Sequence, residues 1–423
     1  MTDCRFAAGR RVLSALFAVV LLSGGCVNAA IRVRDSVTTY ARDALAPFVE
    51  RGELPGAISV LYKDGVQETC CIGYADVETK RPITMNDVFM QCSQTKGFCG
   101  VTVAMLVEEG KLGLDDPVAK YLPEFGELWV RAEASSNECR NVRAKTAVSV
   151  RMCLNHTAGF PFELPNYTKM GGWSRKMPLR SVAACAASHP LLFEPGTDAK
   201  YSNTGIDVAA AVVEAVAGQP WEDVLRKRVL EPLGMKDTTF WPTDEQLRRR
   251  VGLYVLRKGL SAEPCAYDES MQPPYGDDRV FASAGAGLWT TASDQLKFYK
   301  MLMNLGVGDN GVRLLKEETV KSLLAVSSRS PDLKTQDWTK GGYSLGFCAP
   351  KVDAEDKWFG HGGAWGTNCS VNWHRKELKL YVVQLIGQPR PWDKAYDDDA
   401  VARFFDRGKG EDASAGSTGR LSR

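Results

Sequence analysis

The chain reads as one α/β domain assembled from both of its ends, with a helical insertion between them. Three observations predict this. Strand-like alternation opens at Gly56 and runs over 57–62, through a Lys63-Asp64-Gly65 turn, and on over 67–74. Strand patterns return near the C-terminus over 343–348, 358–360, 368–373 and 378–386, the last two joined by the charged turn Arg375-Lys376-Glu377. The residues between these blocks follow helical rather than alternating patterns, so helices must cover a sheet supplied by both chain ends.

Taken in order, the first helix is predicted over 93–109, stopped by Gly110 where helices favour a glycine cap. Phe98, Val101, Val103, Met105, Leu106 and Val107 leave it apolar nearly all round, which places it at the centre of the core. Gly97 and Gly100 cost helix propensity and make sense where another element packs closely on that face. Further helices are predicted over 181–187, 204–217 and 221–230. An amphipathic one over 291–305 is introduced by Ser283-Ala284-Gly285-Ala286-Gly287. A loop over 160–177, rich in Pro, Gly and aromatic residues, has the length of a lid or binding wall. The tail over 407–423 has no apolar anchors and is expected to be disordered.

With 44% hydrophobic and 25% charged residues, the 423-residue chain has an ordinary globular composition. Its net charge of +2 argues against nucleic-acid binding and against adsorption to a membrane surface. There is no Gly-rich phosphate loop, no H-E-x-x-H and no C-x-x-C, so neither a metal nor a cofactor is expected. The expected partner is a small-molecule or peptide substrate, and the expected state is a monomer. Residues 1–29 have the layout of a signal peptide: Arg5, Arg10 and Arg11, an apolar run over 12–22, then small residues up to a cleavage site after Ala29. The alternative is a lipid anchor at Cys26, although Ser23 stands where a leucine is usual. Either route places the protein in a bacterial periplasm or cell envelope, where disulfides among the ten mature cysteines are permitted.

Chemistry concentrates in three short motifs. Ser93-Gln94-Thr95-Lys96 is the only S-x-x-K in the chain, although about two would occur by chance at this length. Its spacing is close to one helical turn, so a buried lysine would face the serine it could deprotonate. Tyr201-Ser202-Asn203 is the only Y-x-N. A tyrosine near a lysine ammonium has its phenolate stabilised and can carry protons, and Asn203 could hydrogen-bond an acyl group. His361-Gly362-Gly363-Ala364 lies between two strand patterns, where glycines admit a substrate to the backbone and the Ala364 and Ser93 amides could form an oxyanion hole. His156, in Asn155-His156-Thr157-Ala158-Gly159, could be a base paired with Ser93 or a loop tether; we read it as the tether.

In this order and at these separations the three motifs resemble the serine β-lactamase and penicillin-binding superfamily. The similarity is to its branch of class C β-lactamases, D-alanyl-D-alanine carboxypeptidases and family VIII esterases. Supporting matches include Leu106 to Leu112, Asp115-Asp116-Pro117, Tyr121-Leu122-Pro123, Glu194-Pro195-Gly196, Glu231-Pro232-Leu233-Gly234-Met235 and Tyr343-Ser344-Leu345-Gly346-Phe347. The resemblance spans roughly residues 35 to 390. It implies a mixed, mainly antiparallel sheet flanked by helices plus an all-helical subdomain inserted over roughly 110–280, within one hydrolase domain over 30–406. It makes Ser93 the acylated nucleophile, Lys96 its activating partner, Tyr201 the proton carrier, Asn203 a substrate contact and His361 the electrostatic residue of the third motif. Gly363 and Ala364 would belong to the substrate-binding edge.

The third motif departs from the family pattern. Gly362 stands where relatives carry a hydroxyl that holds a substrate carboxylate, and His361 carries less charge than lysine at neutral pH. Trp365 is expected to line an apolar pocket. The function expected is therefore an exported serine hydrolase cleaving an ester or amide through an acyl-enzyme on Ser93, of esterase or D-Ala-D-Ala carboxypeptidase type. The alternative is a penicillin-binding-like sensor of cell-wall peptides with little or no turnover.

Overall fold

The alternating segments at the two chain ends meet in one sheet. The computed structural model describes residues 32–33, 39–132, 140–165, 176–256, 266–267, 280–325, 327–328, 342–349, 358–387 and 390–406. The expected leader over 1–29 with Cys26, and the tail over 407–423, lie outside the described residues, as does much of the predicted loop over 160–177.

In chain order the elements that matter are β1 (Arg32–Val33), α1 (Tyr40–Glu50), β2 (Gly56–Lys63), β3 (Val66–Asp76), β4 (Arg81–Pro82), β5 (Val88–Met90) and α2 (Thr95–Glu108). The insertion supplies α3 (Val150–Leu154), α4 (Leu179–Ala187) and α5 (Asn203–Ala217). Then come β6 (Trp289–Thr291), α6 (Ala292–Met303), α7 (Glu317–Leu324), β7 (Phe359–Gly363), β8 (Thr367–Asn372) and β9 (Glu377–Val382). The main sheet has the order β1-β3-β2-β9-β8-β7, with β4 attached to β3. Only the β1–β3 pair is parallel; the other neighbours run antiparallel. The two chain ends join at its middle, where Ile58 to Lys63 of β2 pair with Val382 to Glu377 of β9. This is the mixed, mainly antiparallel α/β architecture expected. Among its described residues the insertion is helical apart from a hairpin of Trp129–Ala132 with Arg140–Arg143 and the short antiparallel pair Tyr254–Val255 with Ala266–Tyr267.

Helix α2 is the central element, with every residue from Thr95 to Leu106 buried. Phe98 stacks on Phe298 of α6 at 3.8 Å between ring centroids. Burying side chains such as Phe98, Val101, Val103 and Leu106 contributes about 1.5–3 kcal/mol each. The far face of the sheet is covered by α1 and the C-terminal helical residues, through Leu45, Ile72, Tyr381, Trp392 and Tyr396. The eight described cysteines are all free.

Several predicted boundaries move. The pattern over 343–348 is not a strand: it is a turn held by isolated bridges of Tyr343 to Ser328 and of Cys348 to Gly360. Gly346 takes φ 93 there, a conformation a β-chain cannot continue through. This turn is what packs on the α2 glycines. A Cβ on Gly97 would lie 2.4 Å from the Phe347 ring, and one on Gly100 would lie 2.1 Å from the Leu345 carbonyl oxygen. The pattern over 378–386 breaks at Gln384, with φ 46, and Leu385–Ile386 leaves the main sheet to pair with Tyr254–Val255. The third motif lies within β7 rather than after a strand. Helix α1, α7, the β5–β6 pair and the helical residues from Pro391 to Asp406 were not expected from the sequence pattern.

Candidate active site

Ser93 sits in a 3-10 turn, Cys92–Gln94, that runs directly into α2. Cys92 takes φ 51, a costly conformation for a residue with a side chain, and it bends the chain away from β5 into the helix. The turn is pinned on both sides. Thr95 Oγ1 donates to the Cys92 carbonyl at 2.7 Å and accepts from the Leu288 amide at 3.2 Å, while Gln94 Nε2 donates to the His361 carbonyl at 3.0 Å.

Lys96 is fully buried one turn on. Its Nζ lies 3.2 Å from Ser93 Oγ and 2.6 Å from both Asn203 Oδ1 and the Gly285 carbonyl oxygen. Burial is the largest influence on this amine, and it lowers the pKa from 10.5 to about 7 against the opposing pull of Asp207 and Glu163. Carbonyl oxygens only accept, so two of the amine's hydrogens are committed to Asn203 and Gly285. In the neutral amine the lone pair is then left facing the Ser93 hydroxyl, which is the geometry of a base.

Tyr201 adjoins both Ser93, to which its side chain hydrogen-bonds, and Lys96. Lys96 Nζ stands over the Tyr201 ring, 4.4 Å from its centroid. Burial drives the phenol pKa up, and a hydrogen bond with Ser93 only partly offsets this. Burial therefore favours the neutral phenol, opposing the phenolate stabilisation that a nearby ammonium would give. The resting phenol keeps its proton.

His361 completes this side from β7. Its Nδ1 is 2.6 Å from the Gly362 carbonyl, an acceptor only, so Nδ1 carries the ring hydrogen. Nε2 then accepts, with Tyr343 Oη at 3.0 Å and Tyr201 Oη at 3.3 Å. Burial, reinforced by the Lys96 charge, lowers the His361 pKa to about 3. The ring is a neutral acceptor for two phenols.

The remaining predicted residues fall as follows. Asn203 opens α5, and its amide is engaged at both ends, accepting from Lys96 and donating to Glu163 Oε1 at 2.7 Å. Gly363 is pressed against the nucleophile turn, where a Cβ would lie 2.4 Å from the Gln91 carbonyl oxygen. Ala364 is exposed at the end of β7. Trp365 turns inward, 8% exposed, to pack with Val88, Met90, Cys92, Leu253 and Trp289, so it backs the nucleophile turn instead of lining an open pocket. His156 is buried with φ 67, and its Nδ1 accepts from the Ser202 amide at 3.3 Å. Its ring packs between Tyr201 at 4.6 Å and Tyr343 at 4.3 Å, an arrangement that supports the Y-x-N loop.

Four contributors escaped the sequence reading: Glu163, Asp207, Gly285 and Tyr343. Gly285 and Tyr343 lay in segments already singled out, as a run of small residues and as a supporting match. Glu163 and Asp207 carried no local signal at all. A cavity of about 370 Å³ bordered by Trp358, Lys379, Tyr381, Arg390 and Tyr396 contains none of the motif residues.

The chain is 29% identical over 321 residues to penicillin-binding protein 4 of Amycolatopsis lactamdurans, covering 75% of this chain and 76% of that protein. It is 28% identical over 321 residues to the lovastatin esterase of Penicillium rubens, covering 70% and 77% respectively. In three dimensions it matches EstCE1, described as a hydrolase with promiscuous acyltransferase activity. That match has a TM-score of 0.68 and 22% identity, and it covers 85% of this chain and 97% of that one. The sequence profile described as Beta-lactamase matches residues 41–404, and the chain belongs to the beta-lactamase family.

Proposed function

We propose that the protein is an exported serine hydrolase that forms an acyl-enzyme on Ser93 and favours esters over substrates that must be held by a carboxylate. The observation that carries this is the fully buried Lys96 amine 3.2 Å from Ser93 Oγ, with its other hydrogens committed to two carbonyl oxygens. Neutral Lys96 takes the Ser93 proton as Oγ bonds to the acyl carbon, and the Ser93 and Ala364 amides receive the oxyanion. The proton taken up by Lys96 leaves through Tyr201, whose phenol protonates the departing alkoxide and regains that proton, so the amine and the phenol both end neutral. Water then attacks the acyl carbon and gives its proton to Lys96, which returns it to Ser93 Oγ as the acyl–Oγ bond breaks and the carboxylic acid leaves. Serine-hydrolase chemistry is what esterase and penicillin-binding relatives support.

The ester preference rests on the third motif. His361 is neutral above about pH 3, and Gly362 offers no hydroxyl, so this edge lacks the usual partners for a substrate carboxylate. The leader pattern supports export to the periplasm or cell envelope.

The test is labelling with a fluorophosphonate and a fluorescent penicillin, wild type against Ser93→Ala. Labelling lost in the variant supports the acyl-enzyme, and labelling that persists contradicts it. Turnover of p-nitrophenyl esters above a chromogenic cephalosporin and D-Ala-D-Ala peptides is the expected ranking. Stoichiometric labelling with turnover of none of them would mark a penicillin-binding-like sensor.

A further inference from the structure

The two oxygens that aim the Lys96 amine are each held by a carboxylate. Glu163 Oε1 accepts from Asn203 Nδ2 at 2.7 Å, which turns Asn203 Oδ1 toward Lys96. Asp207, one turn further along α5, accepts from the Gly285 amide and from Ser283 Oγ, both at 3.1 Å, which fixes the turn presenting the Gly285 carbonyl. The loop that carries Glu163 is itself tied to the start of α5. Ser202 Oγ donates to the Pro161 carbonyl at 2.7 Å, and the Asn203 amide donates to that of Phe162 at 2.9 Å.

We propose that Glu163 and Asp207 are positioning residues that orient the Lys96 amine through Asn203 and Gly285 and set its strength as the base for Ser93. The inference rests on the reading of Lys96 as that base. The physical reason is that a lysine buried without counter-charge loses its proton well below neutrality, and its free amine is then a weak base. A hydrogen-bonded carboxylate one side chain away restores part of its basicity without forming a salt bridge that would lock the ammonium.

The other groups facing the amine do not supply this charge. Ser93 and Tyr201 are uncharged, the thiols of Cys92 and Cys348 are kept protonated by burial, and the rings of His156 and His361 are neutral. Asp207 and Glu163 are the carboxylates that act on Lys96, in that order of strength. Asp207 is 3% exposed and its loss would disturb the 283–285 turn. Glu163 is half-buried at the site mouth and is the residue to vary.

Glu163→Gln keeps an oxygen for Asn203 and removes the charge; Glu163→Ala removes both. In the full-length protein with ¹³C-labelled lysine, the resonance missing from Lys96→Met reports the Lys96 titration without reference to activity. Glu163→Gln is expected to move that titration to lower pH by about half to one unit. The acid limb of Ser93 acylation by a fluorophosphonate should move with it, and its plateau should fall modestly, by about two- to threefold, as the free amine becomes a weaker base. Glu163→Ala should lower the plateau several-fold as the Asn203 amide loses its anchor. A titration in Glu163→Gln that coincides with wild type overturns the inference, even if both variants are less stable. If the lysine titration moves while acylation stays where it was in wild type, the tuning is real and Lys96 is not the base, which overturns the proposed function instead.

Discussion

Ser93 is flanked by two buried proton-holding groups that meet the same physical penalty and end in different places. On one flank burial takes Lys96 from 10.5 to about 7. On the other it takes His361 from 6.5 to about 3. The displacement is similar, but the surroundings are not. Asp207 and Glu163 pull against desolvation at Lys96, whereas the Lys96 charge adds to desolvation at His361. The lysine is left changing charge near neutral pH, and the histidine is a neutral acceptor there. Burial and a neighbouring like charge leave His361 a neutral acceptor, whereas burial opposed by carboxylates at one remove leaves Lys96 titrating at about 7.

Under the proposed function the first proton transfer goes to Lys96 and the second to Tyr201, while His361 and Tyr343 orient that phenol. The largest effect should therefore come from Lys96→Met, which fills the same space without a base. Acylation of Ser93 is expected to fall by about 10²- to 10⁴-fold in stopped-flow or gel-based labelling. A fall of less than tenfold would move the base to the tyrosine flank and remove the contrast. A smaller effect is expected from Tyr343→Phe, which takes one of the two phenols from His361 Nε2. Acylation should drop by about fivefold and stability by about 1 kcal/mol in thermal melts. The acid limb of its pH profile should stay in place, because the residue acts on an uncharged ring. A displaced limb would show that the histidine flank titrates during the reaction after all.

How much of this could be read from the chain depended on distance along it. Helix α2 and its Ser93–Lys96 face were legible because a single turn joins them and because the apolar residues from Phe98 onward leave no exposed face. Even Gly97 and Gly100 announced a close neighbour. The identity of that neighbour did not show. The 343–348 segment alternates like a strand, and only its packing on α2 reveals Gly346 as the pivot of a turn. The cradle was hidden for the same reason: the bonds from Lys96 to Asn203 and Gly285 cross 107 and 189 residues. A glutamate such as Glu163 has no periodicity or spacing that marks it until the fold brings it to Asn203. The pattern singled out the motif tyrosine, but it does not report that burial raises the pKa of its phenol.

The most direct test of the central claim is the pH dependence of the wild-type acylation rate with an uncharged fluorophosphonate. Neutral Lys96 is the active form, so the rate should rise about tenfold per pH unit on the acid side, bend at about 7 and level off above it. A rate independent of pH between 5 and 8, or one that falls as pH rises through 7, would contradict the account.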